Sequence, residues 1–182
     1  MSPSDREKLR TQLILHEGRR RSPYTCTAGK LSIACGYNIT DRGLGPLRTA
    51  SVRHVTMDAL YKHGLTDEEI DRILNADIEY FEGRVRHYFP QYDKLDPIRQ
   101  RVVVDFAFNL GKRALGFTKA VAALKAALAA KVAERRRLHY SECAFEMLHS
   151  LWASQVGDGA GKRFDRADRL AQMMRSGEDY IR

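Results

Sequence analysis

The chain has 182 residues, 43% of them hydrophobic and 30% charged, which is the composition of a folded globular chain rather than a disordered or fibrous one. Thirty-one Lys and Arg against 23 Asp and Glu leave a net charge of +8, a field that favours anionic partners without naming one. No apolar stretch approaches the ~20 residues that cross a bilayer, and the opening Met-Ser-Pro-Ser-Asp-Arg-Glu-Lys has no apolar signal core, so neither a transmembrane segment nor Sec-type export is expected.

In chain order, Ser4-Asp5-Arg6-Glu7 reads as a capping box that opens a helix with Leu9 and Leu13 on one stripe and Gly18 as its stop. From Ser22 to Thr40 the pattern shortens to strands. Leu31, Ile33 and Cys35 alternate with Ser32, Ala34 and Gly36, after a turn at Ala28-Gly29-Lys30. Thr66-Asp67-Glu68-Glu69 is a second capping box, and the apolar positions Ile70, Ile73, Leu74, Ile78, Phe81 and Val85 carry its helix to Pro90. Such a helix of about 22 residues, ~33 Å long, has the reach to tie two lobes together. Asp96-Pro97 opens a segment apolar on all sides, Val102 to Phe108, which predicts a central buried helix ending at Gly111. Phe117 to Leu128 marks another helix, Phe145, Leu148, Leu151 and Trp152 one more, and about Lys162 to Arg175 the last. The predicted class is α+β, a single domain over 1–182: a small N-terminal lobe with a short antiparallel sheet (about 1–65), a connecting helix (66–90) and an all-helical lobe (91–182).

Cys26, Cys35 and Cys143 form no CxxC pair and no zinc spacing with the six histidines, so no metal site is expected. An odd, sparse count suits free thiols. A Cys26–Cys35 bridge is not expected either. With the turn at Ala28-Gly29, Cys26 stands across from Leu31 and more than ~10 Å from Cys35 at about 3.3 Å per residue.

Glu17 continues the inward stripe of Leu9 and Leu13, in the last turn of its helix. Partial desolvation and the negative end of the helix dipole both favour a protonated carboxyl, as a general acid requires. The bland alternative is a solvated Glu that balances Arg19, Arg20 and Arg21. Cys26 falls where the first strand ends, and Ser32 on the strand face opposite Leu31 and Ile33. An inward-packed apolar face would leave Ser32 towards open space. A carboxyl, a thiol and a hydroxyl could thus line one cleft, the thiol serving as base or nucleophile once deprotonated.

The stretch Leu15-His16-Glu17-Gly18-Arg19, continuing through Ser22-Pro23-Tyr24-Thr25-Cys26 and Leu31-Ser32-Ile33-Ala34-Cys35-Gly36-Tyr37, resembles the bacteriophage-type lysozymes, the endolysin muramidases. Their pattern is a Glu, eight residues, an Asp or sometimes Cys, five residues, then Thr; Glu17, Cys26 and Ser32 meet that spacing. Phe106 to Gly111 with Gly116-Phe117-Thr118, and Trp152 to Gln155 with Arg166 to Arg169, are similar to the family's central helix and C-terminal signature. The resemblance implies a lysozyme-like fold, with Glu17 as proton donor to the glycosidic oxygen. Cys26 takes the position of the aspartate that places or activates the attacking water, and Ser32 that of the threonine whose hydroxyl contacts it. Arg166 matches an arginine that pairs with the catalytic Glu. Tyr24, Tyr37, Phe108, Asn109 and Gln155 are the implied sugar contacts, Tyr37 at a position that is often His. Core packing is the alternative for Tyr24, Phe108, Asn109 and Gln155.

The departures bear on mechanism. Ser for Thr loses a methyl and the β-branched stiffness that fixes the rotamer. Cys for Asp replaces two oxygens by one sulfur, mostly protonated unless activated. The match implies an inverting hydrolase, while a covalent sulfur intermediate would give retention.

The expected function is hydrolysis of the β-1,4 bond between N-acetylmuramic acid and N-acetylglucosamine in peptidoglycan, with lysis of bacteria. No cofactor is implied. The partners are glycan strands and an anionic envelope, not nucleic acid, met by a monomer. The enzyme would stay in the host cytoplasm until a holin-type pore releases it, or travel as part of a virion. A lytic transglycosylase acting on the same bond is the near alternative. A non-catalytic envelope- or nucleic-acid-binding module is the alternative from another class, resting on the charge, Arg135-Arg136-Arg137 and the Arg166/Arg169 face.

Overall fold

Proline at the first helical position, with a serine before it, sets where the chain begins to coil. Helix α1 (Pro3–Glu17) is capped by Ser2, whose Oγ accepts from the Asp5 amide at 3.1 Å, so the helix opens two residues before the predicted Ser4 box. Gly18, with φ +72°, closes it by donating its amide to the Ile14 carbonyl.

The computed structural model describes residues 1–26, 29–51, 55–156 and 165–180. Its packing divides the chain into two compact units, residues 7–80 in one and residues 1–6 with 81–182 in the other. The sequence-predicted connecting helix is continuous as α5 (Asp67–Tyr88), and the division falls inside it, between Tyr80 and Phe81. Its capping box forms in full: the Thr66 amide donates to Glu69 Oε2 at 2.8 Å and the Glu69 amide to Thr66 Oγ1 at 3.2 Å.

In the first unit, β1 (Arg20–Thr25), β2 (Leu31–Ala34) and β3 (Tyr37–Asn38) form one antiparallel sheet in that order. Short helices α2 (Ile39–Arg42), α3 (Gly45–Ala50) and α4 (Met57–His63) follow. Leu9, Leu13, Ile33, Leu47, Leu60 and Ile70 build its core. At the edge of that core lies an ion pair, buried Asp77 to Arg42 at 2.7 Å, with the guanidinium 4.4 Å from the Tyr37 ring and 4.9 Å from that of Tyr80. Burial pushes Asp77 up to about 6 although Arg42 opposes the shift.

The second unit is helical. Asp96 caps α6 (Pro97–Leu110), accepting from the Arg99 amide at 3.0 Å, and Gly111 ends it at φ +56°. Val102 and Val104 on α6 are fully buried, as the apolar run requires. Around it come α7 (Thr118–Ala129), α8 (Ala133–Leu148), α9 (Leu151–Val156) and α10 (Arg166–Ser176). The predicted single helix through Phe145 and Trp152 is thus two. The chain breaks at His149-Ser150, where the Ser150 hydroxyl donates to the Met147 carbonyl and accepts from the Ala153 amide, local bonds that compete with the helical ladder. The last helix opens on a capping box of Asp165 and Asp168; its predicted start near Lys162 lies outside the described residues. The mostly helical chain with one small antiparallel sheet is the α+β class expected. Among the described residues no helix is long and apolar enough to cross a membrane.

Candidate active site

Glu17 is the last residue of α1, and Gly18 turns the chain at once into β1. The carboxylate lies against the turn between β2 and β3. A Cβ on Gly36 would stand 2.8 Å from Glu17 Oε2 and 3.1 Å from its Cδ, and Gly36 holds φ +73°. Two requirements meet at that glycine, a left-handed backbone and an absent side chain. Ala34, two residues earlier, is also left-handed at φ +57°, which costs energy for a residue with a side chain, so Cys35 is flanked by two left-handed residues of which one is strained.

Two of the three arginines that follow Glu17 have acids of their own. Arg19 donates to Asp71 at 2.7 Å, Arg21 to Asp67 at 2.6 Å, and Arg20 lies 5.6 Å from the Tyr24 ring. The N-terminal turns of α5 thus engage Arg19 and Arg21, which a charge-balancing account would have given to Glu17.

Strand register gathers the remaining groups. Tyr24 stands opposite Ser32 and Ser32 opposite Asn38, so these three side chains share one face of the sheet. The ladder continues one step beyond β1, where the Cys26 amide donates to the Lys30 carbonyl at 2.9 Å. Alternation therefore returns Cys26 to the face of Tyr24 and Ser32. Its cross-strand neighbour is Lys30, one residue short of the expected Leu31. The half-buried phenol of Tyr24 is pushed up first by desolvation, then by the charges of Glu17 and Cys26, with Arg20 opposing. Glu17 also acts on Cys35, whose thiol burial pushes up to about 11. Glu17, Tyr24, Cys26, Ser32 and Cys35 thus occupy one neighbourhood of the first unit. All three cysteines are free thiols, as predicted.

Two expectations need correction here. Ser32 does not face open space: it is 3% exposed, and its hydroxyl donates only weakly, to the Lys30 carbonyl at 3.5 Å. The cause is its place on the middle strand, with Tyr24 on one side and Asn38 on the other. Tyr37 is 1% exposed, its hydroxyl donates to the Gly43 carbonyl at 2.9 Å and its ring lies by Arg42, so it builds core rather than meeting a sugar. Burial pushes that phenol up to about 12.

In the second unit Phe108 is also core, 8% exposed with its ring 5.0 Å from Phe81. Asn109 accepts from the Trp152 indole at 2.9 Å, and Trp152 packs edge-on against Phe106, which meets Phe117 likewise. The resemblance motifs around 106–111, 117 and 152 are thereby one aromatic cluster. Gln155 is exposed on α9. Arg166, 7% exposed, donates twice to Asp105 Oδ1, at 2.7 and 3.1 Å, and Asp105 is fully buried. Sequence reasoning missed Asp105, which reads there as a break in an apolar run, and Gly36. Its signal is a Gly placed between two alternating segments too close for any turn without positive φ.

A family model for phage lysozymes matches residues 15–149, from the turn before Glu17 to the end of α8. Glu17, Cys26 and Ser32 lie inside that span, while Gln155 and Arg166 lie beyond it. No curated protein matches the chain at a significant level. A match over well more than half of the chain, on a fold with a small sheet followed by helices, decides the matter: this chain belongs to the phage lysozyme family, the enzymes that hydrolyse peptidoglycan.

Proposed function

We propose that the protein is an endolysin that hydrolyses the β-1,4 bond between N-acetylmuramic acid and N-acetylglucosamine. The observation that carries the reading is the seating of Glu17: a carboxyl at a helix end, packed against a glycine whose missing side chain makes room for it, in the neighbourhood of Tyr24, Cys26 and Ser32. Glu17 gives its proton to the glycosidic oxygen as the bond to the anomeric carbon breaks. A water attacks that carbon, losing its proton to Cys26 in its thiolate form, which becomes the neutral thiol, while the Ser32 hydroxyl orients the water. Tyr24 is the sugar contact nearest this chemistry; Asn109 and Gln155 are proposed as further sugar contacts. Arg166 is proposed to act through its buried pair with Asp105 in the helical unit. The basic surface concentrates the enzyme on an anionic envelope, reached through a holin-type pore or as a virion part, and the active species is the monomer.

Mass spectrometry of muropeptides released from purified walls tests the bond and the reaction. New reducing N-acetylmuramic acid ends are expected; 1,6-anhydro ends would make the protein a lytic transglycosylase, and N-acetylglucosamine ends would move the cut to the other linkage. The role of Cys26 has its own test. Cys26→Asp is expected to stay within about tenfold of the parent, and Cys26→Ala to lose about a hundredfold, because the water needs a proton acceptor. Wall clearing by the Ala variant at the parent rate would remove Cys26 from the reaction.

A further inference from the structure

A strongly basic cavity lies in the helical unit and has no part in the chemistry above. Arg99 from α6, Arg136 and Arg137 from α8 and Arg175 from α10 line a volume of about 460 Å³, together with Tyr140 and Ser141. Two of the guanidiniums are already engaged. Arg99 is buried, lies 3.6 Å from the Tyr140 ring, and donates to Asp96 at 2.6 Å and to the carbonyls of Met174 and Arg175. Arg136 donates to the Ala130 carbonyl at 2.9 Å. Arg137 and Arg175 have no acidic partner among the described residues, and no acid lines the cavity. Four cations from three helices therefore converge on one space with a single carboxylate, Asp96, set behind them. Like charges gathered in this way raise the free energy of the protein until an anion joins them.

We infer that this cavity binds a phosphorylated sugar, the phosphate held by Arg136, Arg137 and Arg175 over the fixed floor of Arg99 and Tyr140. Arginine's planar fork suits phosphate oxygens, each contact being a charge-assisted hydrogen bond. The volume lies within the range of small-ligand pockets, with room for more than a bare phosphate. Lining decides against an acyl chain, since Ala133 is the only aliphatic side chain among the lining residues. The hydroxyls of Tyr140 and Ser141 remain to meet sugar hydroxyls; Ser141 donates to the Arg137 carbonyl and keeps its lone pairs for accepting. The inference does not rest on Glu17 or on hydrolysis.

The test is a titration of the full chain, followed by amide NMR, with N-acetylglucosamine 6-phosphate as probe. Shifts are expected across residues 133–141 and 174–177, with binding at least about tenfold tighter than inorganic phosphate or unphosphorylated N-acetylglucosamine. The double change Arg137→Gln with Arg175→Gln should weaken it about tenfold or more, while Arg135→Gln, outside the lining, and Glu17→Gln leave it unchanged. Unaltered melting of the double variant, whose two sites are exposed, separates lost binding from lost fold. Shifts confined to residues 7–80, equal affinity for the unphosphorylated sugar or for inorganic phosphate, tighter binding of a short oligonucleotide, or no response to the double change would each overturn the assignment.

Discussion

Glu17→Gln is expected to reduce clearing of purified walls by about three orders of magnitude while leaving the fold intact. The substitution keeps the shape and removes the transferable proton. General acid catalysis typically contributes 10²–10⁴-fold, and departure of a sugar oxygen without a proton places the reaction at the upper part of that range. Stability should change little. Glu17 sits at the end of α1, whose hold on the core is through Leu9 and Leu13, both fully buried. Gln also removes the unfavourable placing of a negative charge in a helix's last turn, worth about 0.3–1 kcal/mol. A melting temperature within a few degrees of the parent, with clearing lost, identifies the carboxyl as chemical rather than structural. Glu7→Gln on the exposed side of the same helix, where Glu7 pairs with Arg10 at 3.0 Å, provides the comparison and should clear walls at the parent rate. Parent-level clearing by the Glu17 variant would take this residue out of the mechanism, and the reading of the neighbouring thiol and hydroxyl with it.

Much of the fold was legible because local signals and burial agreed. Thr66 to Glu69 and Asp96-Pro97 are start signals whose hydrogen bonds form as the sequence implies, and the apolar residues after them are the ones buried. The extent of α5 follows from a capping box at one end and Pro90 beyond the other. What alternation cannot supply is which strands flank which. It put Ser32 on the face opposite Leu31 and Ile33 but gave no account of Tyr24 and Asn38 on either side, and so Ser32 was expected in the open. Tyr37 and Phe108 illustrate the same limit. An aromatic residue in a signature stretch serves equally as sugar platform or as core, and only the neighbours Arg42 and Phe81 decide it. Arg166 has the long reach of any arginine, and its buried contact with Asp105 spans 61 positions of sequence that no local pattern connects. The spacing of Glu17, Cys26 and Ser32 was visible at once. The geometry that seats Glu17 was not, because it depends on an atom that Gly36 lacks.

That missing atom leads to the second large effect. Gly36→Ala is expected to cost about 1–3 kcal/mol of stability and, in the molecules that remain folded, to lower wall clearing by about a hundredfold. The stability term comes from φ +73°, a left-handed conformation that a β-carbon disfavours. The catalytic term comes from contact. The new methyl would be built 2.8 Å from Glu17 Oε2 and 3.1 Å from Cδ, closer than any carbon can rest, so the carboxyl must move aside. A displacement of about 1 Å at a reacting group is enough for a hundredfold loss. Gly43→Ala separates the two terms. Gly43 also has a positive φ, +67°, with ψ −169°, a region that a side chain disfavours, yet a Cβ there meets nothing within 4 Å. It should therefore lose stability too and keep its activity per folded molecule. If both variants lose activity only in proportion to the fraction unfolded, the packing of Glu17 on the turn is incidental to catalysis. If Gly36→Ala alone fails while its circular dichroism and melting match those of Gly43→Ala, then the distance between a helix end and a strand turn sets where the proton is delivered.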